Sequence, residues 1–235
     1  MSERAWERIG ALSGLKAVVL FGAAFIIFLT TDPMGTPRIP DIANAADAST
    51  YIRDHQDALK VQVLLNGAAV LAFVWFLGSL WSRLRAAEGG PARLSAIASA
   101  GGIVGAAALL AGIVFEATAV LVPTGVDVTT LYVLSAMSIG LGGAAFMVFF
   151  LAVARVILQT RALPLAIGVL AIVAAAASAL GLVSIFADEG IFNAATGAFG
   201  FWVRFGAFVI WLALASIALA ATVGQTARPR RTRRQ

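Results

Sequence analysis

Six long apolar blocks separated by short polar segments decide most of what this chain can become. They lie near residues 13–31, 60–82, 95–122, 130–157, 163–187 and 199–224. Each can cross the roughly 30 Å hydrocarbon layer of a bilayer as a helix of about 20 residues. Apolar residues run continuously along each block and do not alternate, which selects helix over strand. A backbone in lipid must satisfy its own hydrogen bonds, and a helix does so within the segment. The sequence therefore predicts an all-α, polytopic transmembrane helix bundle of six spans. Residues 1–227 form one domain with a long external loop at 32–59, and residues 228–235 form a basic tail. Composition agrees, since 60% of the 235 residues are hydrophobic and 12% are charged, far too little polar surface for a soluble domain.

The charges orient the bundle. With the N-terminus inside, Arg4, Arg8, Lys16, Arg83, Arg85, Arg93, Arg155 and Arg161 fall on the cytoplasmic side together with the arginines of the tail. Arg38, Arg53 and Lys60 remain outside, and Arg204 falls within the sixth span. This is the positive-inside pattern, with both termini cytoplasmic in a plasma (inner) membrane. The first block follows a charged start, as a signal peptide does, but no small-x-small cleavage site comes directly after it, so it is expected to stay as a span. The pI near 10.7 reflects this distribution and not a nucleic-acid face.

Within the long loop, "TDPMGTPRIPDI" reads as extended. "DASTYIRDHQDALKVQ" offers Asp47 or Ser49 as a helix cap, so its second half is either a short helix over one rim of the bundle or an irregular loop. Small residues recur every four positions at Gly101/Gly105, Ala108/Gly112, Ser138/Gly142, Gly140/Ala144, Ala174/Ser178 and Ala177/Gly181. Lipid gives helices no hydrophobic reason to associate, so such stripes predict close packing among spans three to five. Trp81, Tyr132 and Trp202 fall near span ends, as an interfacial aromatic belt requires.

The candidate site is built on charge inside the greasy blocks. Glu116, in "GIVFEATAVLVP", lies about six residues from the outer end of span three, or roughly 9 Å deep. Arg204, in "FWVRFGAF", lies about five residues into span six, or roughly 7–8 Å. An unpaired charge at that depth costs several kcal/mol, so equal depth predicts a Glu116–Arg204 ion pair. Asn66 and Ser135 fall on the same level, which predicts an outward-opening polar pocket beneath the 32–59 loop. The pair serves either as a helix-orienting structural contact or as a solute or proton site.

Other chemistry is thin. There is no cysteine, hence no disulfide, thiolate or Cys-ligated metal. His55 is the single histidine; beside Asp54 and Asp57 it makes a poor metal site and reads as a solvated face. No catalytic set and no cofactor site are expected, and neither is an enzyme. The tail residues Arg228, Arg230, Arg231, Arg233 and Arg234 are expected to lie on anionic lipid headgroups or to act only as a topology anchor. No nucleic-acid module accompanies them.

The segments "DASTYIRDHQDALKVQVLLNGAAV" and "TRALPLAIGVLAIVAAAASALG", set in six spans with a long first external loop, resemble a bacterial six-span integral membrane family of unknown function, and the Ala/Gly/Arg-rich usage is similar to that of actinobacterial proteins. The resemblance implies the fold and brings no activity with it. Two functional expectations remain. The first is a structural or accessory membrane protein that binds a membrane-protein partner. The second is a small-solute or proton-coupled transporter using the Glu116/Arg204 pocket.

Overall fold

The computed structural model describes residues 3–31, 47–122 and 127–223. The helices are α1 (Glu3–Thr30), α2 (Ala48–Asp54), α3 (Gln56–Glu88), α4 (Arg93–Leu121), α5 (Val128–Thr160), α6 (Leu165–Leu182) and α7 (Val203–Thr222). Short 3-10 turns at Val183–Phe186 and Gly190–Phe192 and a π-helical turn at Ala198–Trp202 join α6 to α7. Six of these helical segments are long and apolar enough to cross a membrane. The chain is an all-α, multi-pass membrane protein. The tail arginines Arg228, Arg230, Arg231, Arg233 and Arg234 lie outside the described residues, as do residues 32–46 of the long loop.

The six spanning helices close into a ring. Each packs against its neighbour in chain order, α1 on α3, then α4, α5, α6 and α7, and α7 returns to α1. Ser216 makes the closing seam: its hydroxyl donates to the Ala11 carbonyl and accepts from the Leu15 amide at 3.1 Å. An even number of crossings brings Glu3 and Val223 to one end of the bundle, the terminal end. Thr31, α2, Val122 and residues 187–197 form the opposite, loop end.

Small residues set the closest approaches. A Cβ on Gly101 would lie 2.9 Å from the Phe149 amide nitrogen and 3.0 Å from the Ala145 carbonyl oxygen. One on Gly142 would lie 2.8 Å from the Ala108 Cβ, and one on Gly143 would lie 2.8 Å from the Ser178 carbonyl oxygen. The stripes thus bring α4 onto α5 and α5 onto α6 backbone to backbone, which is how helices bind one another in lipid.

Aromatic rings fill the middle of the ring of helices. Phe208 meets Phe73 and Phe146 edge-on at 5.2 Å, and Trp211 meets Phe150 at 5.1 Å and Phe149 at 5.4 Å. Edge-to-face geometry sets the positive edge of one ring against the negative face of the next. Phe73, Phe149, Phe150 and Trp211 are fully buried, and Leu80, Leu84, Val153, Ile157 and Leu212 continue the solid core toward the terminal end. The interior is therefore plugged from its middle to the terminal end.

The loop end is built differently. The second half of the long loop is helical, forming α2, with Asp47 before it but making no side-chain cap bond. Helix α2 does not run straight into α3, because His55, at φ −118°, interrupts it. Ile52 of α2 packs with Leu59, Ala119, Val120 and Val128, and the Gln56 side-chain amide donates to the Val120 carbonyl at 2.7 Å. Tyr51 bonds Thr31 through their hydroxyls at 3.1 Å. These contacts fasten α2 across one rim.

Candidate functional site

Above the aromatic plug a cavity of about 190 Å³ opens at the loop end. Phe21 and Phe25 of α1, Ile113 of α4 and Ile139 of α5 wall it, while Tyr51 and Ile52 of α2 and Ala194 and Ala195 of the α6–α7 connection roof it. Glu116, Asn66 and Ser135 all line it. Three of the four residues expected to share one level meet there, under α2.

Arg204 does not join them, and the expected ion pair does not form. Among the described residues the pair within salt-bridge distance is Lys60–Asp57 at 3.0 Å, on the exposed start of α3. The reason is the order of helices in the ring. Helices α4 and α7 are not neighbours, so equal depth places Glu116 and Arg204 across the interior from each other and not side by side. Arg204 is buried and donates through Nη1 to the carbonyls of Ile139, at 3.1 Å, and Gly140, at 3.0 Å. Those carbonyls are reachable because glycine lines the notch. A Cβ on Gly181 would sit 2.8 Å from the Arg204 Cδ, and one on Gly143 would sit 3.5 Å from its Nη1. The "GLGG" of span four is thus a cradle for a guanidinium as well as a packing stripe.

Glu116 has a different partner. The side-chain amide of Gln62 donates to its Oε1 at 3.2 Å. Gln62 is buried, and its own Oε1 has no hydrogen-bond partner. Turning the amide over would set two oxygens against each other, so the nitrogen is the atom that faces the carboxylate. Gln62 and Asn66 are one helical turn apart on α3 and share a face, and both line the cavity. Sequence reading stopped at Asn66 and missed Gln62. The signal was present: in the span-two stretch "VQVLLNGAAV", Gln62 is the polar residue four before Asn66.

A second polar centre that sequence reading missed shapes the roof. Asn193 is fully buried. Its Nδ2 donates to the Asp188 carbonyl at 2.5 Å, and its Oδ1 accepts from the amides of Ala195 and Thr196 at 2.8 and 3.0 Å. The Asn193 backbone also crowds two glycines: a Cβ on Gly200 would lie 2.1 Å from its carbonyl oxygen, and one on Gly197 would lie 2.5 Å from its amide nitrogen. Trp202, expected only as a belt residue, donates through Nε1 to the Thr196 carbonyl at 3.0 Å. Tyr132, expected in the same belt, lines the cavity. Trp81 is partly exposed with the Arg85 guanidinium 5.1 Å over its ring. His55 contacts the Tyr51 carbonyl through Nδ1 at 2.9 Å.

Chemically the cavity is an apolar chamber with a polar patch made of Glu116, Gln62, Asn66 and Ser135, and the two tyrosines Tyr51 and Tyr132 are also on its lining. Among the described residues no lysine, arginine or histidine lines it. Such a patch can hold a proton, a cation or a hydrogen-bond donor against Glu116, while the rings accommodate a hydrocarbon body. No family model, no curated protein and no solved structure matches the chain.

Proposed function

We propose that the protein is an accessory membrane protein that holds a small amphipathic molecule in its loop-end cavity and does not conduct it across the bilayer. The observation that carries this reading is the chamber itself. It has an apolar wall and a few convergent polar groups, the usual build of a small-molecule site, and it ends on a filled aromatic floor. The Lys and Arg distribution supports an orientation with both termini in the cytoplasm, which turns the cavity outward from a plasma membrane. In that orientation the tail arginines lie against anionic headgroups of the inner leaflet.

Native mass spectrometry of protein released from its own membrane tests the reading. A small-molecule adduct is expected on the parent chain and not on Ala136→Phe, which places a ring in the space the ligand needs. An adduct that survives Ala136→Phe locates the ligand elsewhere. A parent chain without any adduct, purified together with a stoichiometric protein partner, transfers the accessory role to that partner.

A further inference from the structure

We infer that the molecule held in the cavity is an organic ammonium, an N–H-bearing cation with a small aromatic or aliphatic body; this rests on the ligand-binding reading above. Three observations converge on it. The first is the balance of donors and acceptors. Glu116 is bonded by Gln62 through one oxygen, and the buried Gln62 Oε1 is left with no partner. Both residues line the cavity. A buried acceptor left unmade is costly and marks the Gln62–Glu116 pair as rich in acceptors, and an ammonium set against Glu116 brings donors to it. The second is charge. Among the described residues the cavity lining holds one acidic residue and no basic one, while the neighbouring buried cation, Arg204, donates through Nη1 to the carbonyls of Ile139 and Gly140. An anion meets a carboxylate on this lining. The third is the wall. Phe21, Phe25, Tyr51, Tyr132 and Phe205 line the space, and aromatic faces attract a desolvated cation. A bare metal ion fits poorly, because hard cations require about six or more oxygen ligands and the wall is mostly hydrocarbon.

The test uses the full chain in nanodiscs, with empty nanodiscs subtracted. Titration calorimetry compares 2-phenylethylammonium with 2-phenylethanol and 3-phenylpropanoate, which keep the ring and change the head group. The ammonium is expected to bind roughly tenfold or more tighter than the alcohol, as charge-assisted hydrogen bonding implies, and the carboxylate is expected not to bind. Glu116→Gln is expected to remove that preference, bringing the ratio of the two affinities near one. N-Trimethylation of the ammonium is expected to weaken binding, because Glu116 then meets no N–H; equal binding overturns the N–H assignment. Alcohol or carboxylate binding as tightly as the ammonium overturns the inference and leaves the chamber as a binding site. Failure of all three to bind overturns both. Should Glu116→Gln not fold, the parent panel still decides the outcome.

Discussion

A guanidinium held in hydrocarbon needs acceptors more than it needs a counter-ion. Arg204 shows how peptide carbonyls meet that need: Ile139 and Gly140 each offer an oxygen to its Nη1, and the missing side chains of Gly143 and Gly181 leave room to reach them. The presence of both charges within the apolar helices was legible in the sequence. Their partners were not, because position along a helix fixes one coordinate and pairing depends on which helices adjoin. Glu116 could be placed beside Asn66 and Ser135, but Gln62 as its partner follows only from the facing of α3 and α4. The notch makes a prediction at this scale. Gly143→Ala drives a methyl to 2.8 Å from the Ser178 carbonyl oxygen on α6 and is expected to lower stability by about 1–3 kcal/mol, the usual cost of overpacking. Gly206→Ala, with no atom within 4 Å of the added carbon, is expected to be neutral or stabilising by up to about 1 kcal/mol. Thermal unfolding of the two variants in the same detergent checks the contrast.

Among the elements, α5 starts with the clearest local signal. Asp127 accepts from the amides of Thr129 and Thr130 at 3.0 and 3.3 Å and from the Thr130 hydroxyl. The Thr130 hydroxyl first, and then the two amides, hold its carboxyl below the usual carboxylate range. A lowered value means that the cap favours the folded form above that range and loses its effect as pH falls through the lowered value. Asp127→Ala is therefore expected to speed hydrogen exchange at Thr129 and Thr130 near neutral pH, and the difference between variant and parent is expected to vanish in acid. Spans were legible because hydrophobic length is a one-dimensional property; the observed helices cover the expected blocks to within about two residues, except at the end of the fifth block and the start of the sixth, where 3-10 and π turns replace regular helix. The irregular pieces were hidden. His55 interrupts the α2–α3 helix without a proline or glycine to mark the place. The Asn193 turn depends on Gly197 and Gly200 approaching its backbone, a long-range fit that periodicity does not encode.

At the scale of the whole molecule, the chain divides its interior along the membrane normal: open and partly polar at the loop end, solid at the terminal end. The absence of native cysteine makes this division measurable without background. A single cysteine at Asn66 is expected to react with a small membrane-impermeant thiol reagent added to intact cells. One at Ala215, fully buried beside the plug, is expected to stay unlabelled from either side. Reaction at Ala215 with reagent added at the loop side means that water passes the aromatic floor.

The seam between α1 and α7 carries a consequence for biogenesis. The ribosome delivers α1 first and α7 last, yet the two must meet for the barrel of helices to shut. Until the final span arrives, Phe73, Phe149 and Phe150 have no Trp211 or Phe208 to cover them. Insertion and maturation are thus separate events for this chain: five spans can already be threaded through the bilayer while the half-made interior still faces lipid, or whatever insertion factor shields it, and the last helix acts as the closing stave.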